Sequence, residues 1–138
     1  MKHIMIDLEM NKIKKQYRED KKLSNELIEI GAVKMDDDFN EVDRYQTYVM
    51  PDYGKMDPHI IKLTGITDDK LEGAPRFKEA MCDFEKWIGG GAVTFYSWSL
   101  ADIRQFQTES SFKEYDSETL RKMEKNWIDF QEVYSRLL

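Results

Sequence analysis

The amino-acid sequence predicts an α/β domain with a mixed β-sheet, and two observations carry that prediction. The first part of the chain contains three successive strand patterns joined by short connections, as in an antiparallel meander. The second part alternates helical and strand patterns, which is typical of α/β domains. At 138 residues, 41% of them hydrophobic, the chain is expected to form one domain over residues 1–138.

Three strands are expected before Pro51. Residues 3–8 form an apolar run typical of a buried strand, and a polar, basic stretch follows at 11–25. Residues 26–35, with the sequence ELIEIGAVKM, are rich in Ile and Val and indicate a second strand. The turn DDDFN at 36–40 leads into EVDRYQTYVM, a third strand that ends before the proline.

Helices and one more strand are expected in the remainder of the chain. Pro58 and Gly65 mark the start and the end of a short helix within 57–67. A longer helix is expected over 76–88, where large apolar residues recur at helical spacing before the GGG segment. The remaining predicted elements are a strand over 92–98, a helix over 100–109 and a helix over 130–138.

Composition limits the classes of function. The 27 acidic and 21 basic residues give a net charge of −6, so any contact with nucleic acid must be local. The only cysteine, Cys82, excludes an intramolecular disulfide and a cysteine-based zinc site, and it is predicted to be a small core residue. The sequence has no signal-type segment and no apolar run of roughly 20 residues, which predicts a cytoplasmic protein without a membrane partner.

Asp7 and Glu9 stand out because they interrupt the first apolar strand. Side chains two apart on a strand project from the same face, so these two like charges lie within a few Å of each other. A divalent cation such as Mg²⁺ or Mn²⁺ between them would supply the missing positive charge. The alternative is a strand end that simply reaches solvent. The other Asp-x-Glu pairs of the chain, at 83/85 and 116/118, are expected to be solvated surface charges.

Asp102 is the third carboxylate of interest. It follows the predicted fourth strand, where the chain turns into a helix. It could form a capping box with Ser99 and interact favourably with the helix dipole. If the fourth strand lies beside the first, however, both strands end at one edge of the sheet, and the three carboxylates share one pocket.

Four segments together resemble the 3′–5′ exonucleases of the DEDD superfamily, and most closely their histidine-type branch, which includes exoribonucleases. The segments are MIDLEM, ELIEIGAVKM, PHIIKLTGIT and FYSWSLADIRQF, and their order and spacing match over roughly residues 3–110. Asp7 and Glu9 fit the first exonuclease motif, and Asp102 fits the acid of the second. The combination of four blocks is far more specific than any single block.

The resemblance implies a ribonuclease H-like fold and two divalent metal ions, Mg²⁺ or Mn²⁺, held by the three carboxylates. Asp7 would bridge both ions, and Glu9 and Asp102 would each complete one side. One ion would activate a water for attack on the terminal phosphodiester, and the other would stabilise the leaving 3′ oxygen. The resemblance also implies that Met10 and Leu63 pack against the terminal base. Trp98 could line the substrate groove, and for all three the alternative is core packing.

One family feature has no counterpart in this sequence. Members of the histidine-type branch carry a third motif, His-x4-Asp, which supplies a general base and the last metal ligand. The chain contains only His3 and His59, both upstream of Asp102. The segment NWIDFQEVYSRLL resembles the strand and helix that precede the third motif. These observations predict a domain whose C-terminal part is missing.

The predicted function is therefore a 3′–5′ exonuclease that hydrolyses phosphodiester bonds at the 3′ ends of single-stranded RNA or DNA. Without the third motif, the chain itself is expected to be weakly active or inactive. The alternative is a catalytically dead module that binds nucleic acid or a protein on an exonuclease fold. The basic residues of KIKKQYREDKK, at 12–22, could steer a phosphate backbone to the site or could be a solvated loop. The sequence does not indicate an oligomeric state.

Overall fold

A computed structural model describes residues 1–17 and 23–137. Over these residues it contains one mixed sheet with the strand order β3-β2-β1-β4-β5. The strands are β1 (Lys2–Lys12), β2 (Asn25–Met35), β3 (Glu41–Tyr48), β4 (Val93–Ser97) and β5 (Trp127–Asp129). The pairs β1–β2 and β2–β3 are antiparallel, whereas β4 runs parallel to both β1 and β5. The predicted α/β class, with a three-strand meander and an added parallel strand, is confirmed.

The helices of the described residues lie between and after the strands. They are α1 (Pro58–Thr64), α2 (Asp68–Leu71), α3 (Phe77–Ile88), α4 (Ala101–Phe112), α5 (Glu118–Lys125) and α6 (Phe130–Leu137), together with a 3-10 turn at Lys15–Tyr17. The short helix predicted from its punctuation is α1. The Asp57 carboxylate accepts a hydrogen bond from the His59 N–H at 2.8 Å, and Gly65 ends the helix with a φ of 74°. No helix in the described part of the chain is long and apolar enough to cross a membrane.

The main core lies between the sheet and the helices α3, α4 and α5. Alternate residues of β1 point into it, and α3 contributes the apolar face that its sequence spacing predicts. The buried apolar residues of these two elements are Ile4, Ile6, Leu8, Phe77, Ala80, Met81, Phe84 and Ile88. The prediction that Cys82 is a core residue is wrong, because its side chain is exposed on the outer side of α3. It directly follows the buried Met81, and successive helical residues point about 100° apart.

The predicted polar stretch at 11–25 is more ordered at its ends than expected. β1 continues to Lys12, and β2 already begins at Asn25. The buried side chain of Asn11 explains the extension, since it donates to the Lys55 carbonyl at 3.2 Å and accepts from the Asp57 N–H at 2.9 Å. The prediction of a basic loop falls partly on residues 18–22, which lie outside the described residues.

A bulge interrupts the pairing of β1 and β2 next to the predicted site. Glu9 pairs with Glu29, but Met10 already pairs with Leu27, so Ile28 is an extra residue. Leu27 belongs to the main core, whereas Ile28 belongs to a second, smaller cluster. The other buried members of this second cluster are Met56, Ile66 and Leu71. The bulge therefore lies where the sheet contacts the segment that contains α1 and α2.

A buried ion cluster joins α4 to β2 and to the segment after β3. The Lys113 ammonium donates to Glu26 at 2.9 Å and to Glu109 at 2.7 Å, and it pairs with Asp52 at 2.9 Å. Both glutamate side chains are fully buried. Burial disfavours the charge on Lys113, but the surrounding carboxylates outweigh that effect and raise its pKa. The cluster fixes the position of α4, which carries Asp102 at its other end.

Candidate active site

Asp7 and Glu9 leave β1 on the face opposite the main core. Ile6 and Leu8 are buried in that core, so the alternation of the strand turns the two carboxylates to the other side. Asp7 is exposed and Glu9 is half-buried. Asp7 also lines a groove of about 450 Å³ on this face of the sheet, together with Met5 and Arg44.

Glu9 has a second acidic neighbour that sequence reasoning missed. Glu29 of β2 lies directly opposite Glu9 in the antiparallel pairing, and the Gln46 amide donates to Glu29 at 2.8 Å. Burial, then the charge of Asp7 and then that of Glu29, raise the pKa of Glu9. The strand pattern of β2 was visible in the sequence. Finding Glu29 opposite Glu9 would also have required the register of β2 against β1. Like charges at directly opposed positions destabilise a sheet unless something compensates them.

Asp102 reaches the same edge of the sheet from a distant part of the sequence. Parallel pairing from Lys2–Val93 to Met5–Tyr96 places β4 beside β1, as the predicted pocket requires. The chain turns after Ser97, and Asp102 lies in the first turn of α4. Its half-buried carboxylate lies near the Leu8 N–H. Burial, reinforced by the charge of Asp7, raises the pKa of Asp102 to about 6, although the Leu8 N–H favours the charged form and lowers it. Asp102 thus lies next to the acidic residues of β1.

The capping box considered for Ser99 and Asp102 does not form. The Ser99 hydroxyl accepts a hydrogen bond from the Ala101 N–H at 3.1 Å, and α4 has no side-chain cap. The Asp102 carboxylate lies instead near the backbone of β1 at Leu8. The expectation that Ser99 and Asp102 form a capping box is therefore wrong. Asp102 connects the helix to the strand that carries the other carboxylates.

The carboxylates have the chemistry of a site for a hard divalent cation. Asp7, Glu9 and Asp102 offer oxygen donors, and their mutual repulsion is relieved when a cation binds. Within residues 1–17 and 23–137, however, no three His, Cys, Asp or Glu side chains are already arranged to hold a metal ion. The donor set fits Mg²⁺ or Mn²⁺ in kind, and the side chains would have to turn toward a common ion.

The three residues predicted to contact the substrate differ in their surroundings. Met10 is half-buried and packs against the main core. Leu63 is 68% exposed on α1, and Trp98 is 54% exposed just after β4. Trp98 lies near two aromatic rings of α6, with ring centroids 6.2 Å from Phe130 and 5.7 Å from Tyr134. The alternative that these residues pack in the core is therefore wrong for Leu63 and Trp98. For Met10 it is partly right, because that side chain is half-buried against the core.

Neither histidine provides the third motif. His3 lies near the opposite end of β1, where its ring nitrogens hydrogen-bond with the Tyr96 hydroxyl at 2.9 Å and the Asp37 carboxylate at 3.1 Å. His59 is exposed in the first turn of α1, beside the capping residue Asp57.

Comparison with known families gives the class of this domain. The family model described as Exonuclease (RNase T) matches residues 4–133, which is most of the chain. The protein therefore belongs to this exonuclease family.

Its relatives include far longer proteins. The PolC-type DNA polymerase III of Staphylococcus haemolyticus is 32% identical over 87 residues, and that of Staphylococcus aureus (strain bovine RF122) is 31% identical over 87 residues. Each alignment covers 63% of this chain but 5% of the polymerase. The chain thus spans a small part of the length of these curated relatives.

Solved structures of exonucleases share the fold. A full-length 3′-exonuclease superimposes with a TM-score of 0.75 at 18% identity, over 99% of this chain and 46% of that one. Exonuclease I in complex with the inhibitor BCBP superimposes with a TM-score of 0.74 at 16% identity, over 96% of this chain and 29% of that one. E. coli Exonuclease I in complex with a dT13 oligonucleotide superimposes with a TM-score of 0.64 at 16% identity, over 83% of this chain and 24% of that one. The domain therefore has the ribonuclease H-like fold of these exonucleases.

Proposed function

We propose that this domain is a 3′–5′ exonuclease that releases 5′ mononucleotides from the 3′ ends of single-stranded RNA or DNA. The observation that carries the proposal is the parallel pairing of β4 with β1, after which Asp102 follows in the first turn of α4 and lies near Asp7 and Glu9 of β1. Two residues from distant parts of the chain are thus brought to the edge where parallel strands end, the usual place for a site in an α/β sheet. Family membership gives the reaction class.

Asp7, Glu9 and Asp102 are the residues that would hold two divalent cations, Mg²⁺ or Mn²⁺. Such ions, when bound, supply an activated water and stabilise the leaving 3′ oxygen. The pairing of β1 fixes the backbone of Asp7 and Glu9, and the Asp102 carboxylate lies near the Leu8 N–H between them in the sequence. Met10, Leu63 and Trp98 would contact the terminal nucleotide, with the exposed Trp98 indole offering a stacking surface. Neither His3 nor His59 stands in the position of the third-motif histidine, which would act as the general base. We therefore expect turnover to be slow.

A binding module without catalysis is the second candidate function. The position of His3, hydrogen-bonded to Tyr96 near the far end of β1, favours this candidate because it removes one of the two histidines as a general base. Such a module would bind a single-stranded oligonucleotide without shortening it. Cleavage and binding therefore have to be measured on the same protein.

The direct test uses oligonucleotides labelled at the 5′ end. We expect the protein, at high concentration with Mn²⁺ or Mg²⁺, to shorten single-stranded substrates one nucleotide at a time from the 3′ end, and EDTA should stop the reaction. A duplex of the same sequence is the control and should be degraded more slowly. Binding without shortening would establish the second candidate, and internal cleavage would contradict the exonuclease proposal.

The substitution Asp7→Asn is expected to weaken Mn²⁺ binding by about 10–100-fold, because it removes a charged oxygen donor from the centre of the proposed site. Mn²⁺ titration followed by electron paramagnetic resonance measures this affinity without any catalytic turnover. Asp116→Asn is the matched control, since Asp116 belongs to another Asp-x-Glu pair and forms a surface ion pair with Arg121. Equal affinities for the two variants would remove Asp7 from the proposed metal site.

A further inference from the structure

A groove whose wall carries Arg104 runs along α4. Its volume is about 280 Å³, and it lies between the end of β1, the start of β2 and the exposed side of α4. The groove wall includes Met10 and Ala101, which are the chain neighbours of Glu9 and Asp102. The other residues of its wall are Leu23, Ser24, Asn25, Arg104, Gln105 and Thr108.

The described wall of this groove carries positive charge and neutral hydrogen-bonding groups, with no acidic side chain among its residues. Arg104 is exposed on α4. The Gln105 amide is already engaged, since it donates to the Asn25 carbonyl and to Glu109. A guanidinium among uncharged polar groups suits a phosphate, which accepts two parallel hydrogen bonds from it.

A second group of cations lies beside the groove. The Ile13 N–H donates to the Ser24 carbonyl at 2.9 Å, which holds the segment after β1 next to the groove wall. The exposed Lys12 and Lys14 flank Ile13 in this segment. In a protein with a net charge of −6, these two lysines add positive charge to the segment that is bonded to Ser24 of the groove wall. A phosphodiester chain is the ligand that this charge distribution favours.

We propose that the groove binds the phosphodiester backbone on the 5′ side of the scissile bond and that Arg104 donates hydrogen bonds to a phosphate there. This inference rests on the proposed function, which places the 3′-terminal nucleotide at the carboxylates. The remaining nucleotides of the substrate must then run along the protein surface next to the carboxylates. The α4 wall from Ala101 to Thr108 extends about 10 Å from that point, at the rise of an α-helix. Arg104 is thus a positioning residue for the substrate strand.

The test compares Arg104→Ala and Arg104→Lys with the wild-type protein. A 5′-fluorescein-labelled single-stranded 10-mer is titrated in EDTA, so that no cleavage occurs, at several salt concentrations. We expect Arg104→Ala to weaken binding about five- to tenfold and to reduce the salt slope by about 0.7, as for the loss of one phosphate contact. Arg104→Lys should retain part of the affinity. Where turnover is measurable, KM should rise and kcat should stay constant.

Arg121→Ala is the matched control, because Arg121 is an exposed arginine on α5 that is not part of the groove wall. Its affinity and salt slope should equal those of the wild type. The proposal is overturned if Arg104→Ala binds like the wild type, if Arg121→Ala loses as much affinity, or if the wild type does not bind the oligonucleotide. Arg104-dependent binding without cleavage would contradict only the proposed function. Metal-dependent cleavage that is insensitive to Arg104 would contradict only the groove.

Discussion

Asp102→Asn is expected to slow metal-dependent cleavage by about 10²–10⁴-fold while making the cation-free protein more stable. The loss of rate follows from removing one of three carboxylates that would stabilise transition-state charge through a bound ion, a contribution of several kcal/mol. Asparagine retains an oxygen that can accept the Leu8 N–H, so the junction between α4 and β1 should persist. The same substitution therefore has opposite effects on activity and on folding.

The gain in stability has a defined pH dependence. In the folded protein the pKa of Asp102 is about 6, above its ordinary value of 3.8. The wild-type residue consequently costs the fold little below pH 4. Its cost grows between pH 4 and 6, where the carboxyl ionises in the unfolded state but not in the folded state, and it levels off above pH 6. Above pH 6 we expect Asp102→Asn to raise the free energy of unfolding by about 1–3 kcal/mol in EDTA. Urea denaturation at several pH values measures this difference.

A neighbouring aspartate provides the control for this experiment. Asp129 ends β5, the strand beside β4, and its carboxylate accepts a hydrogen bond from the Gln131 N–H at 3.0 Å. Asp129→Asn should leave both the cleavage rate and the pH dependence of stability close to those of the wild type. A wild-type stability that does not fall between pH 4 and 7 relative to Asp102→Asn would show that burial and the charge of Asp7 do not raise the pKa of Asp102.

Lys113→Met is expected to cost about 3–5 kcal/mol in the free energy of unfolding, the largest stability effect predicted here. The substitution leaves Glu26 and Glu109 fully buried without their cation, and removing one partner of a buried ion pair is strongly destabilising. Burial alone already raises the pKa of Glu109, which shows how poorly this site tolerates an unpaired carboxylate. Chemical denaturation followed by circular dichroism measures the loss.

A second substitution separates charge from packing at this position. The double variant Lys113→Met/Glu109→Gln should recover part of the lost stability, because glutamine is neutral and can still accept from the Leu27 N–H. Arg121→Met removes an exposed ion pair on α5 and should cost less than about 1 kcal/mol. If the double variant is no more stable than the single one, lost packing rather than buried charge accounts for the effect.

Local sequence signals predicted several elements accurately. The helix expected over 76–88 is α3 (Phe77–Ile88), because its large apolar residues repeat with the period of a helix. Asp57, Pro58 and Gly65 punctuate α1 in the expected way. α5 was missed because it buries only Leu120 and Met123, which leaves little apolar periodicity over its length. Tertiary packing holds such a helix rather than its own sequence pattern.

The candidate site was only partly accessible from the sequence. The common orientation of Asp7 and Glu9 follows from the period of a strand, which is a local property. The position of Asp102 depends on β4 lying beside β1, and the acidic neighbour Glu29 depends on the register of β2. Both are pairings between distant segments, and no short window of sequence encodes them. Arg104 gave no signal at all, because a lone arginine on an exposed helix face resembles any solvated charge.

The bulge at Ile28 has a consequence for how the protein opens. Since Leu27 and Ile28 pack into different clusters, the small cluster with Met56, Ile66 and Leu71 can lose its protection while the large one stays closed. Amide hydrogen exchange should then show residues 56–71 exchanging as a separate unit, faster than β1 and α3. That unit includes Leu63, so access for a strand end could be controlled by a local fluctuation that does not require the whole domain to unfold.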